Sequence, residues 1–252
     1  MIRAALLLLA VLALPARGEE VVASLSQDTI AITANFDGSE VFVFGAVKRA
    51  APAPDGAPLD VVVALQGPLA PVTVRRKERV AGIWVNTQAV EVDLAPAFYA
   101  VATTRPFEEV LSQTEDLRHA VSIPRAIRSV GAPPDVQDSQ AFTEALIRLR
   151  ADSGVYRLEE GEVALEEQTL FSTRFELPAN LVEGPYRARI FLTRDRDVVD
   201  LYEAQIEVRK VGLERMVWML AHDAPFLYGS LSLLLAIVAG WAASAVFRLI
   251  RL

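Results

Sequence analysis

The stretch "EGPYRARIFLTRDRDVVDLYEAQIEVRK", residues 183–210, decides the fold class. Tyr186, Ala188, Ile190 and Leu192 fall at every second position, the period of a strand with one face against a core. "TRDRD" (193–197) supplies a polar turn, and a second long strand runs on to Lys210. Nothing helical separates the two, so the stretch reads as two neighbouring strands of a sandwich and not as part of a βαβ unit.

Upstream, residues 20–101 carry the same alternation. "DTIAITANF" (28–36) places Ile30 and Ile32 on one face, and Asp37-Gly38 predicts a hairpin turn into "SEVFVFGAV". A proline-rich connector, "APAPDGAP" (51–58), leads into "LDVVVALQGP". The middle changes period. After Pro106, the residues Phe107, Val110, Leu111, Leu117 and Val121 approximate one helical face. Ser139 is placed to cap a second helix in which Phe142, Ala145, Leu146 and Leu149 recur at 3–4 spacing and which Gly154 closes. Gly184-Pro185-Tyr186 has the form of a late strand in an immunoglobulin-like sandwich, where a buried tyrosine hydroxyl ties a corner. The expected fold is therefore mainly β: an Ig-like β-sandwich over 19–211 with a helical pair inserted at about 106–152. Two smaller β domains flanking the helices remain the alternative.

The two ends set the compartment. Arg3 precedes an apolar run, Ala4–Leu14, too short to span a bilayer but of the length of a secretory signal core. Pro15 and the small residues Ala16 and Gly18 predict cleavage before Glu19, making 1–18 a signal peptide. At the other end, residues 226–247 run for 22 positions without a charge, about 33 Å of helix at the usual rise. Arg248 and Arg251 follow at once, which predicts a cytoplasmic stub (248–252) and a periplasmic domain held at the inner membrane. Between them, residues 212–225 form a juxtamembrane segment; Leu213, Met216, Val217, Trp218 and Leu220 fit a helix resting at the interface, the alternative being an N-terminal extension of the spanning helix, and Pro225 argues for a break.

Composition narrows the chemistry. Of 25 Lys and Arg, four (Arg3, Arg17, Arg248, Arg251) lie in the end segments, which hold no acid; the remaining 21 against 32 Asp and Glu give the exported part a net charge of −11. Such a surface disfavours nucleic acid. There is no cysteine and there are only two histidines, His119 and His222, so a His/Cys metal cluster is excluded by inventory. Asp195, Asp197 and Asp200 alternate with Arg194 and Arg196 and lack a calcium loop's glycine, while Glu159 and Glu160 read as solvated. No phosphate-binding or nucleophile motif stands at a strand–helix junction. The expectation is a protein that is not an enzyme and uses no cofactor or metal.

Two features stand out against that background. "VRRKERVAGIWVN" (74–86) gathers Arg75, Arg76, Lys77 and Arg79 beside Trp84, either a solvated turn leading into a core strand, with Ile83 and Val85 inward, or a basic and aromatic binding patch. In the spanning segment, Ser232, Ala236, Gly240 and Ser244 recur every fourth residue, either a spacing that admits close approach of a second helix, from another copy or a polytopic membrane protein, or the alanine-rich composition of a plain lipid anchor.

Taken together, "VFVFGAV", "VVVALQGP", "VRRKERVAGIWVN", "FYAVATTRP", "EGPYRARIFLTRD", "VRKVGLER" and the "YGS…AGWAAS" segment resemble a family of alphaproteobacterial transmembrane proteins. The resemblance implies an inner-membrane-anchored periplasmic domain and, through the genomic neighbourhood of its members to permeases of the sulfite/sulfonate-exporter type, points to a transporter as partner. It brings no activity and no site residues with it. The functional expectation is a non-enzymatic single-pass protein that supports or binds a membrane partner; the alternative is a periplasmic small-anion binding or sensor domain.

Overall fold

The structure is a computed structural model and describes residues 19–33, 36–49, 58–131, 136, 138–211 and 213–250. The expected signal peptide (1–18), most of the proline-rich connector and residues 251–252 of the expected stub lie outside the described residues. In chain order the elements are β1 (Glu20–Leu25), β2 (Thr29–Ile32), β3 (Ser39–Lys48), β4 (Leu59–Gln66), β5 (Leu69–Val80), β6 (Ile83–Pro96) and β7 (Tyr99–Thr103). The helices α1 (Phe107–Val110), α2 (Gln113–His119), α3 (Ile123–Ala126) and α4 (Ser139–Asp152) follow. Then come β8 (Tyr156–Glu160), β9 (Ala164–Glu166), β10 (Leu170–Leu177), β11 (Gly184–Arg194), β12 (Asp197–Lys210), α5 (Leu213–Asp223) and α6 (Pro225–Ile250).

The strands form a four-stranded sheet, β1-β3-β10-β9, a six-stranded sheet, β2-β12-β11-β4-β7-β8, and a separate ribbon, β5-β6. Both larger sheets combine strands from before and from after the helices. Strand β10 buries every second residue (Phe171, Thr173, Phe175, Leu177), the mark of a sheet with one dry face. Strands β4 and β7 are buried on both faces, and their sequences "LDVVVALQ" and "YAVAT" accordingly run apolar without alternation. The fold is the mainly β, sandwich-like one that the alternation predicts.

The helices sit where they do because of one register. β7 and β8 pair in parallel, from Tyr99↔Tyr156 to Thr103↔Glu160. A parallel pair needs a crossover, and α1–α4 are that crossover. The first expected helix is broken: Leu111 is extended, and Ser112 starts α2 afresh by accepting from the Glu115 N–H at 3.3 Å. The restart shifts the helical phase, so Leu117 is exposed and Glu115 and Asp116 are buried instead. Asp116 is satisfied there, its Oδ1 accepting from the N–H groups of Val121 (3.1 Å) and Ser122 (2.7 Å). The Tyr99 hydroxyl donates to the Val121 carbonyl at 2.7 Å, and Arg189 donates to the carbonyls of His119 and Ala120, tying α2 to the sheet.

Tyr186 makes the expected corner: its hydroxyl donates to the Val182 carbonyl at 3.1 Å, and burial pushes the phenol up to about 12. The hairpin expected at Asp37-Gly38 does not form. Strand β3 has both edges taken, by β1 and β10, so β2 has no edge to pair with and joins β12 in the other sheet.

By internal contacts the chain divides into Met1–Ile30 with Asp37–Val208, and Ala31–Phe36 with Arg209–Leu252. In the second unit Val211 N–H donates to the Ile32 carbonyl at 2.8 Å, and α5 gives way to α6 at Ala224 and Pro225, the break expected there. Trp218 stacks on His222 at a centroid distance of 4.1 Å, and the exposed side chains of α5 include Val217 and Trp218.

Candidate interaction sites

Ribbon β5–β6 turns at Ala81-Gly82, both at positive φ (49° and 88°), the two-residue turn that suits the twist of a hairpin. Its register settles which side chains share a face. Arg79↔Trp84 and Lys77↔Asn86 put Arg75, Lys77, Arg79 and Trp84 on one face, since directly opposed residues point the same way. Val80↔Ile83, Glu78↔Val85, Arg76↔Gln88, Val74↔Val90 and Val72↔Val92 make up the other. A register shift between Arg76 and Lys77, with Thr87 as the extra residue, separates the two halves.

The second face carries Val72, Val74, Val90 and Val92 at its inner half and Val80, Ile83 and Val85 at its outer end, with Arg76, Gln88 and Glu78 between them, and only its inner half is covered. Val74, Val90 and Val92 are buried, and α4 lies against both strands with Phe142 and Leu146 inward. Arg76 marks the limit of that cover. Its guanidinium lies 4.5 Å from the centre of the Phe142 ring, donates to Gln88 Oε1 at 3.0 Å and pairs with Asp138 at 2.7 Å. The Arg76 hydrogen bond holds the Asp138 carboxyl below its usual value. Beyond this point the ribbon is bare: Val80 is 50% exposed, Ile83 65%, Trp84 69% and Val85 39%.

Ile83 and Val85 are therefore not core residues, a correction of the sequence reading. They do lie on the apolar face, but α4 begins at Ser139 beside Arg76 and reaches no further out. Of the four cations, Arg76 belongs to the framework through Asp138, Gln88 and Phe142. Arg75, Lys77 and Arg79 make no ion pair among the described residues; Arg79 only donates to the Gly82 carbonyl at 3.4 Å. The patch divides accordingly into one structural arginine and three outward cations with Trp84. Arg75 also lines a shallow cleft between β5 and α4, with Leu146, Leu149 and Arg150.

Elsewhere the polar groups are structural. Asp195 and Arg196 form the β11–β12 turn, and Asp200 accepts from the Val21 N–H at 2.7 Å. Glu159 is not solvated: it is half-buried, and burial raises its carboxyl. Glu160 accepts from the Phe107 N–H at 2.6 Å, at the start of α1. Among the described residues no group of three or more His, Asp or Glu is placed to hold a metal.

The last helix is the second site. Within α6, Pro225–Ser244 form a 20-residue span of mean hydropathy 1.8, none of it buried by the rest of the chain. Ser232, Ala236, Gly240 and Ser244 follow one another along an exposed face, and a Cβ added at Gly240 would meet nothing within 4 Å.

A family model described as "Putative transmembrane protein (Alph_Pro_TM)" matches residues 20–249, from the first strand through the spanning helix. The chain belongs to that family. No curated protein matches it. Among solved structures, the crystal structure of Spo0M, a sporulation control protein from Bacillus subtilis, is similar at 12% identity over 82% of this chain, with a TM-score of 0.32. The match spans 55% of that structure's length, and a likeness so loose carries no argument about function. Membership in the transmembrane family and the uncovered helix agree that the chain is a membrane protein with one C-terminal span.

Proposed function

We propose that this chain is a non-enzymatic, single-pass inner-membrane protein whose β-rich domain lies in the periplasm and supports a polytopic membrane partner of the transporter class. The observation that supports this most is α6, long enough to cross a bilayer and uncovered by its own chain. The small residues Ser232, Ala236, Gly240 and Ser244 are where a partner helix would approach, since packing at close range replaces the hydrophobic drive inside a bilayer. Arg248, directly beyond the span, supports an orientation with the C-terminus in the cytoplasm. The transporter class comes from the family resemblance. The small-anion alternative has the cleft with Arg75 and Arg150 in its favour, but its other walls include Leu146 and Leu149.

The test is purification of the tagged full chain from native membranes in mild detergent. A multi-span protein should co-purify with the wild type and be lost from Gly240→Ile, whose branched side chain would hold helices apart. Equal recovery with Gly240→Ile, or recovery of no membrane protein from the wild type, would remove the reading.

A further inference from the structure

Ribbon β5–β6 is a projection whose apolar face outruns its cover, and its outer end is built differently from its base. We propose that this outer end docks on the anionic lipid surface of the membrane in which the chain is anchored. Val80, Ile83, Val85 and Trp84 enter the headgroup region, and Arg75, Lys77 and Arg79 meet lipid phosphates.

Three observations carry it. The first is the bare end, where Val80, Ile83 and Val85 share a face with one acid, Glu78, beyond Arg76 and Gln88, and which α4, beginning beside Arg76, leaves uncovered. The second is the opposite face, where Arg75, Lys77 and Arg79 make no ion pair among the described residues and Trp84 stands beside Arg79. An aromatic ring with an apolar body and a polar N–H, next to cations and aliphatic side chains, suits a boundary between headgroups and acyl chains. The third is where the ribbon is rooted. Gln66 at the end of β4 pairs with Arg187 and with Tyr99, so Leu69 and Pro96 leave the six-stranded sheet at the end where β11 begins. At that same end Gly184 pairs with Val208, and Pro68 is so close to Gly184 that a Cβ there would lie 2.7 Å from the proline ring. Val208, the last residue of this unit, thus lies at the same end of the six-stranded sheet as the root of the ribbon.

Charge decides between occupants. Two copies meeting through the face that carries Arg75, Lys77 and Arg79 would bring three cations against three, which disfavours a second copy on that face. The acidic domain would be repelled by anionic lipid, but the ribbon from Arg76 to the turn at Ala81 runs roughly 17 Å, about two Debye lengths at physiological salt. The tip can therefore touch headgroups while the acidic body stays screened. This inference uses only the membrane anchorage of the proposed function and is independent of any transporter.

The chain has three tryptophans, so the full chain carrying Trp218→Phe and Trp241→Phe leaves Trp84 as its sole indole reporter. Reconstituted in vesicles containing anionic lipid, Trp84 should emit at shorter wavelength and be quenched by lipids brominated in their acyl chains. In purely zwitterionic vesicles, at high salt, or with Arg75→Glu, Lys77→Glu and Arg79→Glu combined, most of that quenching should vanish. The three changes sit on an exposed face, and an unchanged thermal transition of the domain confirms that it is folded. Trp84 emission typical of water and unquenched in every vesicle would overturn the inference. So would quenching that depends on the protein-to-lipid ratio, which points to a second copy, or a photo-crosslinker at position 83 that captures a polypeptide and not lipid in native membranes. The vesicles hold no partner, so failure here leaves the co-purification result standing, and the reverse holds too.

Discussion

At the scale of single residues, Glu19 shows how one carboxylate joins distant strands. It accepts from Arg49 Nε at 2.6 Å and from Arg194 at 2.9 and 3.0 Å, and all three side chains are largely buried. Burial alone would raise the Glu19 carboxyl, but the hydrogen bonds from Arg49 and Arg194 outweigh it and hold it below its ordinary value of 4.5. A carboxyl depressed in the folded state stabilises the fold above its unfolded pKa, and that contribution is lost as pH falls through the folded value. Glu19→Gln should therefore cost about 3 kcal/mol at neutral pH, because it removes the negative charge that two largely buried guanidinium groups face. The difference between wild type and variant should shrink steadily below pH 4.5. Denaturant unfolding of the detergent-solubilised chain across that range reads it directly; a gap that stays constant with pH would separate Glu19 from acid stability. The sequence marks Glu19 only as the first residue after the expected cleavage, since its partners lie 30 and 175 positions away. Tyr186 was legible for the opposite reason: its partner is four residues upstream.

At the scale of elements, periodicity reports which side chains share a face, and it does so well here. The alternation in β10 and in the first half of β11 and the unbroken apolar runs of β4 and β7 match their burial, whereas Phe191 and Thr193 in the second half of β11 are buried as well, on the other face. Periodicity does not report what covers a face. Ile83 and Val85 have the pattern of core residues and lie on the correct side, yet only the position where α4 begins determines that they are bare. The Asp37-Gly38 turn fails similarly, because a turn signal is local while the edges of β3 are taken by strands before and after it. The break at Leu111–Ser112 was missed because Leu117 continues the apolar spacing across it. The ribbon should accordingly behave as two halves. Phe142→Ala, which empties the space under Arg76, should cost roughly 3 kcal/mol and speed amide exchange in the inner half of β5–β6. Val80→Ser, at the bare end, should change stability by less than about 0.5 kcal/mol. Equal costs for the two would mean that the ribbon is packed along its whole length.

At the scale of the whole molecule, the membrane reading rests on one span and on a family match that includes it. The span was legible because 22 uncharged residues have few other solutions in water. What the domain serves is much less legible, because neither a ribbon nor a lipid-facing helix names its partner by itself. The proposed topology makes the sharpest claim: the β-rich domain stands outside the inner membrane and the last residues inside. A chain without cysteine offers a clean test. Single cysteines placed by Asp195→Cys, in the β11–β12 turn, and by Leu252→Cys would be exposed to a membrane-impermeant maleimide in cells whose outer membrane has been permeabilised. The topology predicts labelling at position 195 in intact spheroplasts and at position 252 only after lysis. Labelling at 252 before lysis, with 195 protected, would contradict it.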